Sequence, residues 1–263
     1  MITVQQIGQT FVKATQLLHP TAVEVDSTGI RYDRDFALVE QDDRFVASDQ
    51  HGSFFPLKFH FDPDANSMRL EMPDGSAING PAVGSGRQWD VDHFGLRNIS
   101  VAEVEGPWGD ALSSFADRTI RLVRCRHIGA AVDVLPITLL STGSMRRLER
   151  EVGAPVDPAR FRAGFVLENN IEHEEDQWDG RRLRIGEALL KVRTPVPRCG
   201  ITGFNPITGA RDQDVMRALI RYRDKTPLPD DLLPDFATPG FATFAEVLEA
   251  GRVKTGDPVE LLS

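Results

Sequence analysis

Short runs of alternating or continuous apolar residues dominate the first hundred positions. Thr21–Val25 alternates around two apolar positions, and Ile30–Val39 is rich in aromatic and branched residues. Arg44–Ala47, Leu57–Phe61 and Met68–Met72 follow at short spacing, separated by Asp42-Asp43, Asp62-Pro63-Asp64 and Pro73-Asp74-Gly75. Short strands punctuated by turn clusters predict a barrel or sandwich. The Gly/Pro-rich stretch 78–87 (INGPAVGSGR) is expected to be a loop.

The period then changes. Pro107–Asp117 places Trp108, Ala111, Leu112 and Phe115 at helical spacing and predicts a short helix. Ile120–Arg124, Ile137–Leu140, Phe165–Glu168 and Ala188–Val192 read as strands. Ser141–Glu151 reads as a helix with Ser141 or Thr142 as its N-cap. Asp212–Tyr222 carries Val215, Met216, Leu219 and Ile220 on one helical face, and Asp224–Pro239, with four prolines, is expected to be irregular. The tail RVKTGDPVELL reads as strand, tight turn, strand. The expected class is mainly β with short helices (α+β). A change of character near 120–135 divides it into an N-terminal β unit over 1–118 and a mixed unit over 119–263.

Composition narrows the function classes. The chain has 263 residues, a hydrophobic fraction of 41% and a charged fraction of 26%, as in a globular protein with a sizeable core. Its net charge of −9 argues against a general nucleic-acid or membrane-surface binder, because phosphates need a basic footprint. No run approaches roughly 18 apolar residues, and no basic segment precedes an apolar stretch at the start, so neither a membrane span nor a signal peptide is expected. Two cysteines provide neither a disulfide framework nor a four-thiolate metal site, and sparse cysteine fits the cytoplasm.

Phosphate-loop, dinucleotide, GxSxG and HExxH signatures are absent, and the six histidines lack ligand spacing. The informative segment is TPVPRCGITGFNPITG (194–209), where Cys199 lies between Arg198 and Gly200. An adjacent guanidinium favours the thiolate, the form that attacks or binds metal. A small buried hydrophobe is the plainer account of a lone cysteine, and these residues alone leave both open. Cys125, within an apparent strand, has the weaker case. In ARFRAGFVLEN (159–169), Arg160 and Arg162 suit an anionic ligand or surface ion pairs; in GIRYDRDFAL (29–38), Arg34 sits between two aspartates. Ser141-Thr142-Gly143-Ser144 at a helix start serves an anion or plain capping. HEEDQWDG (173–180) reads as a solvated acidic turn with Trp178 as its anchor.

Taken in order, these segments resemble the MOSC-domain family with an N-terminal MOSC β-barrel unit, the architecture of the mitochondrial amidoxime-reducing component and its bacterial relatives. GIRYDRDFALVEQDDRFVAS, DVLPITLLSTGSMRRL, RFRAGFVLEN, EEDQWDGRRLRIGEALLKV, PRCGITGFNPITG and VKTGDPVELL match that family's landmarks along nearly the whole chain. The resemblance implies a molybdenum cofactor whose metal takes the Cys199 thiolate beside the pterin dithiolene. It puts Lys13, Arg34, Ser141, Thr142, Arg162 and Arg198 at or near cofactor-contacting positions. It implies reduction of N-hydroxylated or N-oxide small molecules, with electrons from a separate donor protein, since two cysteines hold no iron–sulfur cluster. It also makes ATFAEVLEAG (242–251), whose composition favours a helix, a strand. The chain departs from the family at Ala14, Asp49, Gly164 and Pro197, where a hydroxyl, a cation, an amide and a further hydroxyl are usual. Those departures keep two other readings in view. One is a molybdenum-free protein using Cys199 as a persulfide carrier, or as nucleophile or ligand in sulfur transfer or a lyase reaction. The other is a non-catalytic binding module.

Overall fold

The computed structural model describes residues 1–46, 52–93, 95, 97–227 and 237–262. Among them, seven strands close into a barrel. Around it run Ile137–Ser141, Phe165–Glu168, Ile2–Ile7, Pro258–Leu262, Arg182–Ile185, Ala188–Pro197 and Ala237–Glu249, which pairs back onto Ile137–Ser141. The first two are parallel and joined through a helix; the other neighbours are antiparallel. Leu139, Phe165, Leu167, Trp178, Leu183, Ile185, Leu190 and Val192 fill the interior. Alternation along Ala188–Pro197 places every second side chain inward.

A second body packs four strands (Phe36–Glu40, Ile120–Cys125, Arg97–Val104, Gly84–His93) and a three-stranded meander (Lys58–Asp62, Ser67–Glu71, Ala77–Pro81) around Phe36, Phe59, Leu70 and Trp108. Helix α1 (Trp108–Ala116) covers it, and its Trp108 Nε1 donates to the Pro81 carbonyl at 2.8 Å. Chain order and spatial order differ. Ile2–Ile7 completes a barrel otherwise built after residue 136, Ala22–Asp26 pairs with Gly251–Lys254, and Ile120–Cys125 pairs with strands of the second body. Strand pairing therefore crosses the expected division at 118/119.

Four local expectations need correction. The 78–87 stretch is not a loop: it supplies parts of two strands. Its glycines serve close packing, since a Cβ on Gly80 would lie 2.8 Å from Pro107 and 2.9 Å from Trp108. Ile30–Val39 is interrupted by a turn after Gly29–Ile30, with Tyr32 and Arg34 in the left-handed region. Arg44 and Phe45 form only isolated bridges, and Ala47 lies outside the described residues. The irregular 224–239 stretch holds a short strand at Lys225–Pro227, while 228–236 lie outside the described residues.

The two helices flanking the barrel follow from their caps. Helix α2 (Thr142–Val152) starts at Ser141, whose side chain accepts from the Ser144 amide, and ends at Gly153 with φ +79°. Helix α3 (Val215–Tyr222) starts at Asp214, which accepts from the Arg217 amide. Their apolar faces meet through Met145, Leu148, Ala218 and Leu219. The 242–251 stretch is strand despite its helical composition, because its backbone is paired on both sides. No helix among the described residues is long and apolar enough to cross a membrane.

Candidate functional site

The site is framed by one short turn. Asp157 accepts from the Ala159 amide, Pro158 presets the first φ, and a 3-10 turn runs Pro158–Phe161 before ending at Arg162 with φ +51°. Left-handed backbone is uncommon for a residue with a Cβ and persists only where surrounding contacts enforce it. Ala14 (φ +71°) and Arg34 (φ +55°) share that conformation and sit in or beside the same group of residues. The Arg34 guanidinium pairs with Asp33, and its Nη2 donates to the Arg162 carbonyl at 3.2 Å. Arg198, at the end of strand Ala188–Pro197, donates from Nε to the Phe241 carbonyl (2.7 Å) and from Nη1 to the Phe161 carbonyl (3.0 Å). Cys199 follows and caps the 3-10 turn Gly200–Gly203; it is part-buried and in no disulfide.

Asp133 is the common electrostatic neighbour of these groups. The Lys13 ammonium donates to it at 2.5 Å and to the Ala131 carbonyl at 2.8 Å. Lys13 is buried, whereas the Asp133 side chain is 63% exposed. Desolvation alone would raise the Asp133 carboxyl; Lys13 and Arg34 more than offset this and hold it well below the usual carboxylate range. Burial pushes the Lys13 ammonium down, and Asp133 opposes the shift. Arg97 fixes the loop from behind by donating to the Ala130, Val132 and Asp133 carbonyls.

The arginines carry the clearest sign of a missing partner. Arg162 Nη2 and Arg198 Nη2 are buried without a hydrogen-bond acceptor among the described residues. Burial lowers both guanidinium groups to about 9, with Arg34 adding to the effect at Arg162 and Cys199 opposing it at Arg198. Buried donors with nothing to bond are costly and point to an acceptor supplied from outside the chain. The Arg162 guanidinium also lies over the Phe55 ring (5.3 Å), and that of Arg198 over the Phe161 ring (5.3 Å).

Of the residues singled out by sequence, the structure brings Lys13, Arg34, Arg162, Arg198 and Cys199 into one electrostatic neighbourhood. Ser141 and Thr142 turn elsewhere. The Ser141 hydroxyl donates to Glu175 Oε2 at 2.7 Å, and that of Thr142 to the Asn169 carbonyl at 2.9 Å. Glu175 is not a solvated acid. It is buried, accepts from Ser141 and Ser144, and is pushed upward by desolvation. Asp133 and Glu175 were missed because neither VDVLP nor an acidic run signals burial or a lysine partner across the fold. Asp49 lies outside the described residues.

Cys125 is a core residue beside Asp35, its thiol pushed up to about 12 by burial. Burial also raises Asp35, to about 6. A carboxyl raised on folding favours the native state fully below about pH 4, and that contribution is lost as pH rises through about 6. Asp35→Asn should therefore remove on the order of 2–3 kcal/mol of stability loss between pH 4 and 7. Urea titrations at several pH values check this; parallel curves for the two proteins would refute it.

Comparison with known proteins adds the family. The MOSC domain profile matches residues 126–260. The chain is 23% identical over 280 residues to the mitochondrial amidoxime reducing component 2 of Bos taurus, covering 98% of this chain and 82% of that protein. It is 23% identical over 225 residues to a molybdenum cofactor sulfurase of Caenorhabditis briggsae, covering 81% of this chain and 31% of that protein. Among solved structures, the YuaD protein from Bacillus subtilis aligns over 99% of this chain and 96% of that one, at 12% identity and a TM-score of 0.46.

Proposed function

Because the chain belongs to the MOSC domain family, we propose that Cys199 and the surrounding cations hold a molybdenum pterin cofactor, and that the protein reduces N-hydroxylated or N-oxide small molecules. The observation that carries this is the pair of buried, acceptor-less guanidinium nitrogens of Arg162 and Arg198 beside a part-buried thiol. The residues fit the group. A soft thiolate suits molybdenum, and a pterin phosphate needs N–H donors and positive charge.

Cys199 would be the protein ligand to the metal. Arg162 and Arg198 would donate to the anionic part of the cofactor, with Arg34 holding the Arg162 backbone in place. Lys13 adds positive charge, moderated by Asp133. The cofactor, when bound, supplies two-electron oxygen removal. That chemistry would break the substrate N–O bond, take up two electrons and two protons, and release water. The electrons come from a separate donor protein. The family's usual amide is absent at Gly164, where a Cβ would lie 3.3 Å from Ile30 Cδ1; this chain gives that space to the Ile30 side chain.

The test is reduction of benzamidoxime to benzamidine by molybdenum-loaded protein, with chemically reduced viologen as donor. Turnover that scales with molybdenum content is expected. No turnover at full loading would overturn the reductase reading. The likeness to a protein named molybdenum cofactor sulfurase favours one second reading, a persulfide on Cys199. A reducible adduct of about 32 Da (one sulfur) in intact mass, lost in Cys199→Ser, would mark it.

A further inference from the structure

The geometry points to Arg160, paired with Asp212, as the positioning residue that holds the Cys199 loop in register with Arg162 and Arg198. It rests on the reading that Arg162 and Arg198 share one anion site beside the Cys199 loop, and it does not depend on the metal.

Arg160 has an environment unlike that of a surface ion-pair residue. Its side chain is 3% exposed, yet its Nη2 donates to Asp212 Oδ1 at 2.6 Å and its Nη1 to the Thr202 carbonyl at 3.4 Å. Thr202 in turn donates from its hydroxyl to the Cys199 carbonyl at 3.2 Å. Asp212 also accepts from Asn205 Nδ2 at 2.9 Å, so both ends of the 199–212 loop converge on this one guanidinium.

Arg160 belongs to the turn that frames the site. Three consecutive residues of that turn each bind a different part of it. The Arg160 side chain holds Thr202 and Asp212, the Phe161 carbonyl accepts from Arg198, and the Arg162 carbonyl accepts from Arg34. The three-residue span thus sets the spacing between the thiol loop and the two guanidinium groups whose Nη2 atoms lack an acceptor among the described residues. Removing Arg160 leaves the turn tied to Arg198 and Arg34 but releases the 199–212 loop. A lysine would not restore it, because a point charge cannot fork between a carboxylate and a carbonyl.

Charge and positioning predict opposite signs for one variant, which makes the idea testable. The probe is inorganic phosphate, titrated calorimetrically into full-length protein made without the cofactor. Loss of a cation in Arg160→Met weakens phosphate binding under either account. Loss of an anion in Asp212→Asn would tighten it if charge alone mattered. Positioning requires Asp212→Asn to weaken it, by about 10-fold, the usual scale for outer-shell supports. Arg160→Lys should bind as poorly as Arg160→Met. Melting temperatures measured alongside separate a fold defect, which lowers stability while leaving phosphate affinity of the folded protein unchanged.

Equal or tighter phosphate binding by folded Asp212→Asn would overturn the positioning role while leaving the anion site intact. Failure of the wild-type chain to bind phosphate would overturn the anion site, and the positioning role with it. Should Arg160→Met not fold, Asp212→Asn decides alone, since its carboxylate is 38% exposed and its removal keeps the guanidinium.

Discussion

Replacing Cys199 by alanine is expected to lower amidoxime reduction by at least about 100-fold. Losing an outer-shell support of a metal site already costs 10–100-fold, and Cys199 is assigned to the metal itself. The same substitution should leave phosphate affinity of the cofactor-free chain within about twofold, because the anion contacts are proposed for Arg162 and Arg198, and Arg198 is held through the Phe241 and Phe161 carbonyls. Cys125→Ala is the matched control. Its thiol is buried in the second body and pushed up to about 12, so it should leave turnover unchanged. Steady-state rates per bound molybdenum for the three proteins check the set. Equal rates in wild type and Cys199→Ala would remove Cys199 from the chemistry.

Replacing Trp178 by alanine is expected to give the largest loss of stability. The indole is 1% exposed and packed in the barrel interior with Leu183, Leu190 and Val192. Truncating a buried tryptophan costs about 3–5 kcal/mol through lost transfer energy and the cavity left behind. That is a large share of the roughly 5–15 kcal/mol available to a whole fold, and in a chain of this size it lowers the melting temperature by roughly 6–20 °C. Trp178 and Glu175 share the 3-10 turn Glu174–Trp178, and Glu175 braces the start of α2 through Ser141 and Ser144. Loosening the turn should therefore fray α2 as well. Hydrogen exchange at the Ser144 amide should rise in Trp178→Ala; a melting point within 2 °C of wild type, about 1 kcal/mol or less, would contradict this packing role.

The β-rich class was legible because its signals are local, whereas the barrel built after residue 136 was expected only from the order of the family's motifs. Alternation marks strands wherever one face is buried, while Arg198-Cys199-Gly200 alone left a reactive thiol and a small buried hydrophobe equally open. Arg34 and Arg162 were assigned to the cofactor only through the family's motifs, and the fold joins them by the hydrogen bond from Arg34 to the Arg162 carbonyl. What could not be read is set by contacts distant in sequence. Asp133 is unremarkable until Lys13, far along the chain, donates to it. Arg160 resembles a surface cation until Asp212 and Thr202 close over it. Gly80 and Gly84 signal a loop locally, yet Pro107, Trp108 and Ala102 press against them in strands. Ser141 and Thr142 were correctly placed at a helix start, but only the fold shows Glu175 and Asn169 taking their hydroxyls. Local composition favoured a helix over 242–251, and pairing with strands on both sides overrode it.

The most direct test of Cys199 as the metal ligand is the number of sulfur atoms around molybdenum, measured by X-ray absorption at the molybdenum edge on loaded wild type and loaded Cys199→Ser. Three sulfurs are expected in the wild type, two from the pterin dithiolene and one from Cys199, falling to two in the variant. The same sulfur count in both proteins would contradict it.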